Sequence, residues 1–86
     1  MKKELYEIPG TIAYVLHQHK DELYKLMEVE TQSSFAKLRQ KVDEILDSGE
    51  VRSQEDVRKA KEAFNNSKYW RHYLSTLTTY MFGIKV

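Results

Sequence analysis

The sequence predicts an all-α fold, a small compact bundle of four helices near residues 9–27, 32–48, 54–65 and 68–82. The third and fourth are able to run together as one kinked helix. Three observations lead there. Only one proline and three glycines punctuate 86 residues, so the segments between breaks are long. Within those segments apolar residues recur at i, i+3, i+4 and i+7, the spacing of one helix face. Where the periodicity stops, residues that cap helices stand in place.

In the first segment, Ile12, Val15, Leu16, His19, Leu23, Leu26 and Met27 share a face. Pro9 suits a first helical turn because its missing N–H has no partner to lose there, with Thr11 as the alternative N-cap. The stretch EVETQSS interrupts this helix and offers Thr31 or Ser33 as the cap of a second one. That second helix carries a narrow stripe of Phe35, Leu38, Val42, Ile45 and Leu46, and Gly49 is placed to end it. Ser53 with Asp56 resembles a capping box, and Glu55 and Asp56 favour the positive end of a helix dipole. The helix that starts there has a thin apolar face, Val57, Ala60, Ala63 and Phe64, and needs neighbours to hold it.

The NNS at 65–67 marks a break or kink, because the earlier stripe does not continue beyond it. Trp70, Tyr73, Leu74, Leu77, Tyr80 and Met81 then form the best-developed apolar face in the chain. The expected core is Leu16, Leu23, Val42, Ile45, Phe64, Trp70, Leu74 and Leu77. On the last helix Lys68, His72, Ser75 and Thr79 face outward, with Arg71 and Phe82 on one shoulder and Tyr69, Thr76 and Tyr80 on the other.

Composition narrows the function. At 41% hydrophobic and 31% charged, the chain lies outside the regime that stays disordered, and its length suits one domain over 1–86. No apolar run approaches the roughly 18–20 residues of a membrane span, and no signal-like apolar segment follows the N-terminal lysines. There is no cysteine, which excludes disulfides, thiolate metal sites and a thiol nucleophile and fits a reducing compartment, the cytoplasm. The net charge of +1 is uneven: residues 1–50 hold seven Lys/Arg and ten Asp/Glu, hence −3, and residues 51–86 hold seven and three, hence +4. The second half is therefore the one that suits an anionic partner.

Catalytic and metal constellations are weak. His17 with Asp21 and His19 with Glu22 are spaced to share a helix side, but a metal needs three or four converging ligands, so no metal or other cofactor is expected. Asp43 and Asp47 form an i, i+4 carboxylate pair, which more often is a solvated face, here with Arg39 in reach of Asp43. No glycine-rich phosphate loop occurs, and no enzymatic activity is expected. A helix-turn-helix is disfavoured, since Trp70 and Tyr73 are needed inward and no glycine stands in the turn.

What remains is a non-enzymatic binding module, a regulatory or accessory protein of the kind short bacterial or phage genes encode, acting on a protein partner or on a second copy of itself. Its expected contact residues are Tyr69, Ser75, Thr79, Tyr80, Phe82, Ile84 and Val86, the last three on an apolar C-terminal tail that either folds back on the bundle or joins an exposed patch. The alternative is weak nucleic-acid binding along the basic strip at 52–71 through Arg58, Lys61, Lys68 and Arg71. A third reading is a structural subunit of a larger assembly.

Overall fold

The computed structural model describes residues 5–82, and these form helices, turns and no strand. A short 3-10 turn at Leu5–Glu7 precedes α1 (Ile12–Gln18), α2 (Lys20–Met27), α3 (Gln32–Leu46), α4 (Gln54–Asn66) and α5 (Trp70–Phe82). The all-α class therefore holds, with five α-helices in place of four. Gly83, Ile84 and Val86, with the expected tail, lie outside the described residues.

The difference arises at His19. Its backbone sits at φ −108 and ψ 18, its N–H bonds to the carbonyl of Leu16 at 3.0 Å, and its own carbonyl accepts from Leu23 at 3.1 Å. One hydrogen bond shortens to the i, i+3 pattern and the axis is reset. The reset lets two halves of one apolar stripe serve different neighbours. Helix α1 packs mainly against α5 and the 3-10 turn, while α2 packs against α3. Pro9 consequently stands in the turn before α1, and Thr11 is the N-cap, its hydroxyl accepting from the amide of Tyr14 at 3.1 Å.

The other caps follow the same rule. Thr31 Oγ1 accepts from the Ser34 amide at 3.0 Å, and Ser53 Oγ from the Asp56 amide at 3.2 Å, so α3 and α4 each begin on a hydroxyl. Past Leu46 the chain turns through Gly49 at φ +86, in the left-handed region that glycine enters without strain. Gly10, at φ +91, has a second constraint. Its carbonyl accepts the Arg52 amide at 2.9 Å, and a Cβ there would lie 2.7 Å from the Arg52 side chain. The start of α1 is thereby closed against the α3–α4 connection.

A continuous core draws on every α-helix: Ile12, Val15 and Leu16, then Leu23, then Leu38, Val42, Ile45 and Leu46, then Val57, Ala60 and Phe64, then Tyr73, Leu77 and Met81. Val51 from the α3–α4 connection joins them, though its loop position hid it from any periodicity. Two residues of the expected core, Trp70 and Leu74, are half-buried at its margin, and Tyr73 takes the central place at 1% exposure. The cause is that α5 has neighbours on two sides. Phe64 of α4 sits 5.1 Å from the Tyr73 ring and 5.4 Å from Tyr80, while α1 covers the other flank, so the buried line runs Tyr73, Leu77, Met81. Trp70 instead meets Phe35 edge-on at 5.5 Å.

Two polar devices tie the helices together. The Arg39 guanidinium on α3 lies 5.4 Å from the Phe35 ring and 5.3 Å from the Tyr73 ring, and its Nη1 donates to the carbonyl of Ser67 at 3.1 Å. Lys41 of α3 meets Glu22 of α2 at 3.0 Å, and that hydrogen bond and charge hold the Glu22 carboxyl below its usual range. At the far end, the His17 ring stacks on Tyr6 at 4.6 Å and meets the edge of Phe82 at 5.6 Å. Its Nδ1 is buried with no hydrogen-bond partner among the described residues.

Two stability outcomes are expected. Arg39→Ala removes a charged hydrogen bond and two cation–π contacts and should lower unfolding free energy in urea by about 2–3 kcal/mol. Arg39→Lys should recover less than half of that, because an ammonium lacks the planar fork. His17→Phe keeps the ring stack and removes the unpaired nitrogen, so it should raise stability by about 1 kcal/mol, whereas His17→Ala should lower it.

Candidate functional site

Beyond Ser67, the C-cap of α4, two residues, Lys68 and Tyr69, precede α5 on a turn held by buried hydrogen bonds. Helix α4 ends because Ser67 leaves helical geometry, at φ −93 and ψ 86, while its N–H still reaches the Phe64 carbonyl at 3.1 Å. Ser67 is 1% exposed. Its hydroxyl lies 3.0 Å from both the Ala63 carbonyl and the Thr76 hydroxyl, and its carbonyl takes the Arg39 bond. Serine at that position satisfies every group it buries, which apolar residues of similar size cannot do. The chain then re-enters a helix at once, with the Tyr73 amide donating to the Tyr69 carbonyl at 2.8 Å.

That short elbow presents its side chains outward. Tyr69 is 79% exposed, the highest value for a large hydrophobic residue among those described, ahead of Val29 at 50%. Lys68, Arg71 and His72 are exposed around it, and Trp70 is half-buried. No acidic residue follows Glu62 in the sequence, and neither Lys68 nor Arg71 makes an ion pair among the described residues.

The upstream part of the basic strip is different in kind. Arg58 bonds to Glu55 and lies 3.5 Å from Glu62, all on α4. The bond to Glu55 raises the Arg58 pKa and lowers that of Glu55. Lys61 is bonded to Asp47 at the end of α3. Both pairs are largely solvent-exposed and contribute little stability, but they compensate the cations locally. Of the four strip residues, Lys68 and Arg71 stand together at the elbow with their charge uncompensated, and Arg58 and Lys61 do not share that setting.

The expected partner-contact residues are dispersed along α5. Tyr69 is at its start. Ser75 is exposed on the outer face, and Thr79 is half-buried with its hydroxyl donated to the Ser75 carbonyl at 2.9 Å. Tyr80 turns toward Phe64 and so does not share a patch with Tyr69. Phe82 belongs to the Tyr6 and His17 cluster at the opposite end of the helix, and Ile84 and Val86 lie outside the described residues.

The sequence put Arg39 in reach of Asp43, yet the guanidinium turns to Phe35, Tyr73 and the Ser67 carbonyl instead, a role whose signal was its place one turn after Phe35 on the side facing α5. Burial raises the Tyr73 pKa strongly, with Arg39 opposing and Asp43 adding to the shift, so this phenol is a neutral packing group at any physiological pH. Asp47 is engaged by Lys61, and no three His, Asp or Glu side chains gather to hold a metal ion among the described residues. No helix of the described residues is long and apolar enough to cross a membrane.

The elbow thus carries an exposed aromatic ring and, next to it in sequence, two exposed cations with no ion pair among the described residues, on a turn fixed by Arg39, Ser67 and Thr76. No protein-family model matches the chain, and no curated protein or solved structure is significantly similar to it, so a functional reading rests on this geometry.

Proposed function

We propose that this chain is a small, non-enzymatic helical binding module of the cytoplasm, a regulatory or accessory protein that docks on another protein through the α4–α5 elbow. The observation that carries the reading is Tyr69, 79% exposed on a turn whose backbone is held by buried hydrogen bonds. Tyrosine offers a large contact area with few rotatable bonds, and on a fixed backbone little further ordering is needed when a partner covers it. Arginine beside it adds the second residue type that dominates protein interfaces.

Nucleic acid is the weaker reading. A single strand is gripped by cations that follow its backbone along a groove, and the compensation of Arg58 and Lys61 shortens the strip to Lys68 and Arg71. Self-association through the C-terminal end is supported less well, because Phe82 is already engaged by Tyr6 and His17.

A photo-crosslinking residue placed at 69, with a control at the exposed position 44 on α3, separates these readings in cells of the native host. The expected outcome is a discrete protein adduct at 69 that survives nuclease and is absent at 44. An adduct that nuclease removes, or equal labelling at both positions, defeats the proposal.

A further inference from the structure

We infer that the occupant of the elbow is an acidic segment of a partner protein, in which carboxylates flank an apolar side chain. This names the partner class and rests on the protein-docking reading above.

The first ground is charge. From Ala63 to the end of the sequence there are three Lys/Arg and no Asp or Glu, and two of those cations, Lys68 and Arg71, flank Tyr69. Elsewhere Lys41 pairs with Glu22, Arg58 with Glu55 and Glu62, and Lys61 with Asp47, whereas Lys68 and Arg71 pair with no carboxylate among the described residues. Arg39, the cation beneath the elbow, is spent on two rings and the Ser67 carbonyl. The neighbouring α2–α3 connection contributes exposed Glu28 and Glu30, but neither pairs with the elbow. An incoming carboxylate therefore meets cations that no carboxylate among the described residues engages.

Chemistry and geometry supply the second ground. Arg71 presents a planar fork suited to a carboxylate, Lys68 a compact charge, and the exposed Tyr69 ring an apolar surface with a hydroxyl at its rim. Two exposed cations three residues apart in sequence, with the exposed Tyr69 between them in the chain, match a short motif of two acids about an aliphatic residue. They are too few to track a phosphate backbone, which distinguishes this occupant from a nucleic acid.

The test uses the full chain and three labelled probes at low salt: a twelve-residue peptide alternating glutamate with leucine, its glutamine counterpart, and a fifteen-nucleotide oligothymidylate. Fluorescence anisotropy is expected to show the acidic peptide binding at least about tenfold tighter than the other two. Tyr69→Ala and the double variant Lys68→Glu/Arg71→Glu should each weaken it at least about fivefold, while Lys59→Glu, an exposed α4 cation away from the elbow, should not. Amide shifts in the labelled chain should concentrate at residues 68–75, and unchanged circular dichroism confirms that the variants fold. The inference is overturned if the acidic peptide shows no binding up to about 1 mM. Equal binding of the glutamine peptide, tighter binding of the oligonucleotide, or binding that survives both elbow variants would also overturn it. A nuclease-resistant protein adduct at position 69 combined with indifference to the acidic peptide would leave the docking reading standing and remove only the partner class.

Discussion

Arg39 is the cation around which the upper half of the bundle is arranged. Its guanidinium joins α3 to α5 by lying over Phe35 and Tyr73, and joins both to the end of α4 through the Ser67 carbonyl. A neutral side chain of similar length fills the same space but leaves the carbonyl of Ser67, the C-cap of α4, without that donor, which costs more than the bond itself contributes. Because the arginine holds that carbonyl, α4 can stop at a fixed residue, and α5 can begin after a three-residue connection, Ser67 to Tyr69. The exposure of Tyr69 follows from this. A connection so short has no slack with which to fold the ring back onto the core.

The same economy shapes the first half of the chain. A straight helix from residue 12 to 27 would send one face in one direction, yet Leu16 and Leu23 are both completely buried among different neighbours. The single irregular residue, His19, reconciles these demands at the cost of one altered hydrogen bond. The charge distribution supports the arrangement only lightly. Lys41 and Glu22 span α2 and α3, and Lys61 and Asp47 span α4 and the end of α3, but all are exposed enough for water to share them. Packing and backbone hydrogen bonds therefore set the architecture, and surface pairs set the local field.

Much of this was legible in the residues themselves. Thr31 and Ser53 declare helix starts because a hydroxyl before a periodic stretch has a definite job, accepting an amide with no partner in its own helix. Leu16, Leu23, Val42, Ile45, Phe64 and Leu77 were legible as core because helical periodicity constrains them locally. The misreadings are all non-local. Trp70 outweighs Tyr73 in apolar area, and only the flanking of α5 by α1 and α4 puts the smaller ring in the centre. Val51 is buried by tertiary closure of a loop, which has no period. The 3-10 turn and the Tyr6, His17 and Phe82 cluster join parts of the sequence that no spacing rule connects. For the site, sequence placed Lys68, Tyr69 and Arg71 on view, but it could not show that Arg58 and Lys61 were already answered by carboxylates, or that Tyr80 turned inward.

The packing of α1 on α5 bears on the order in which the bundle assembles. Helices α3, α4 and the connection between them lie next to one another in sequence and close small loops when they meet, whereas α1 waits for a partner that begins some fifty residues after it ends. Helical bundles owe their fast folding to local contacts, and this pairing is the least local of those between α-helices in the described residues. During synthesis Ile12, Val15 and Leu16 leave the ribosome with their covering surface still unmade. A seven-residue helix has no stability of its own to bridge that interval. Helix α1 can meet the 3-10 turn and α3 earlier, but its covering surface is complete only once α5 has been made.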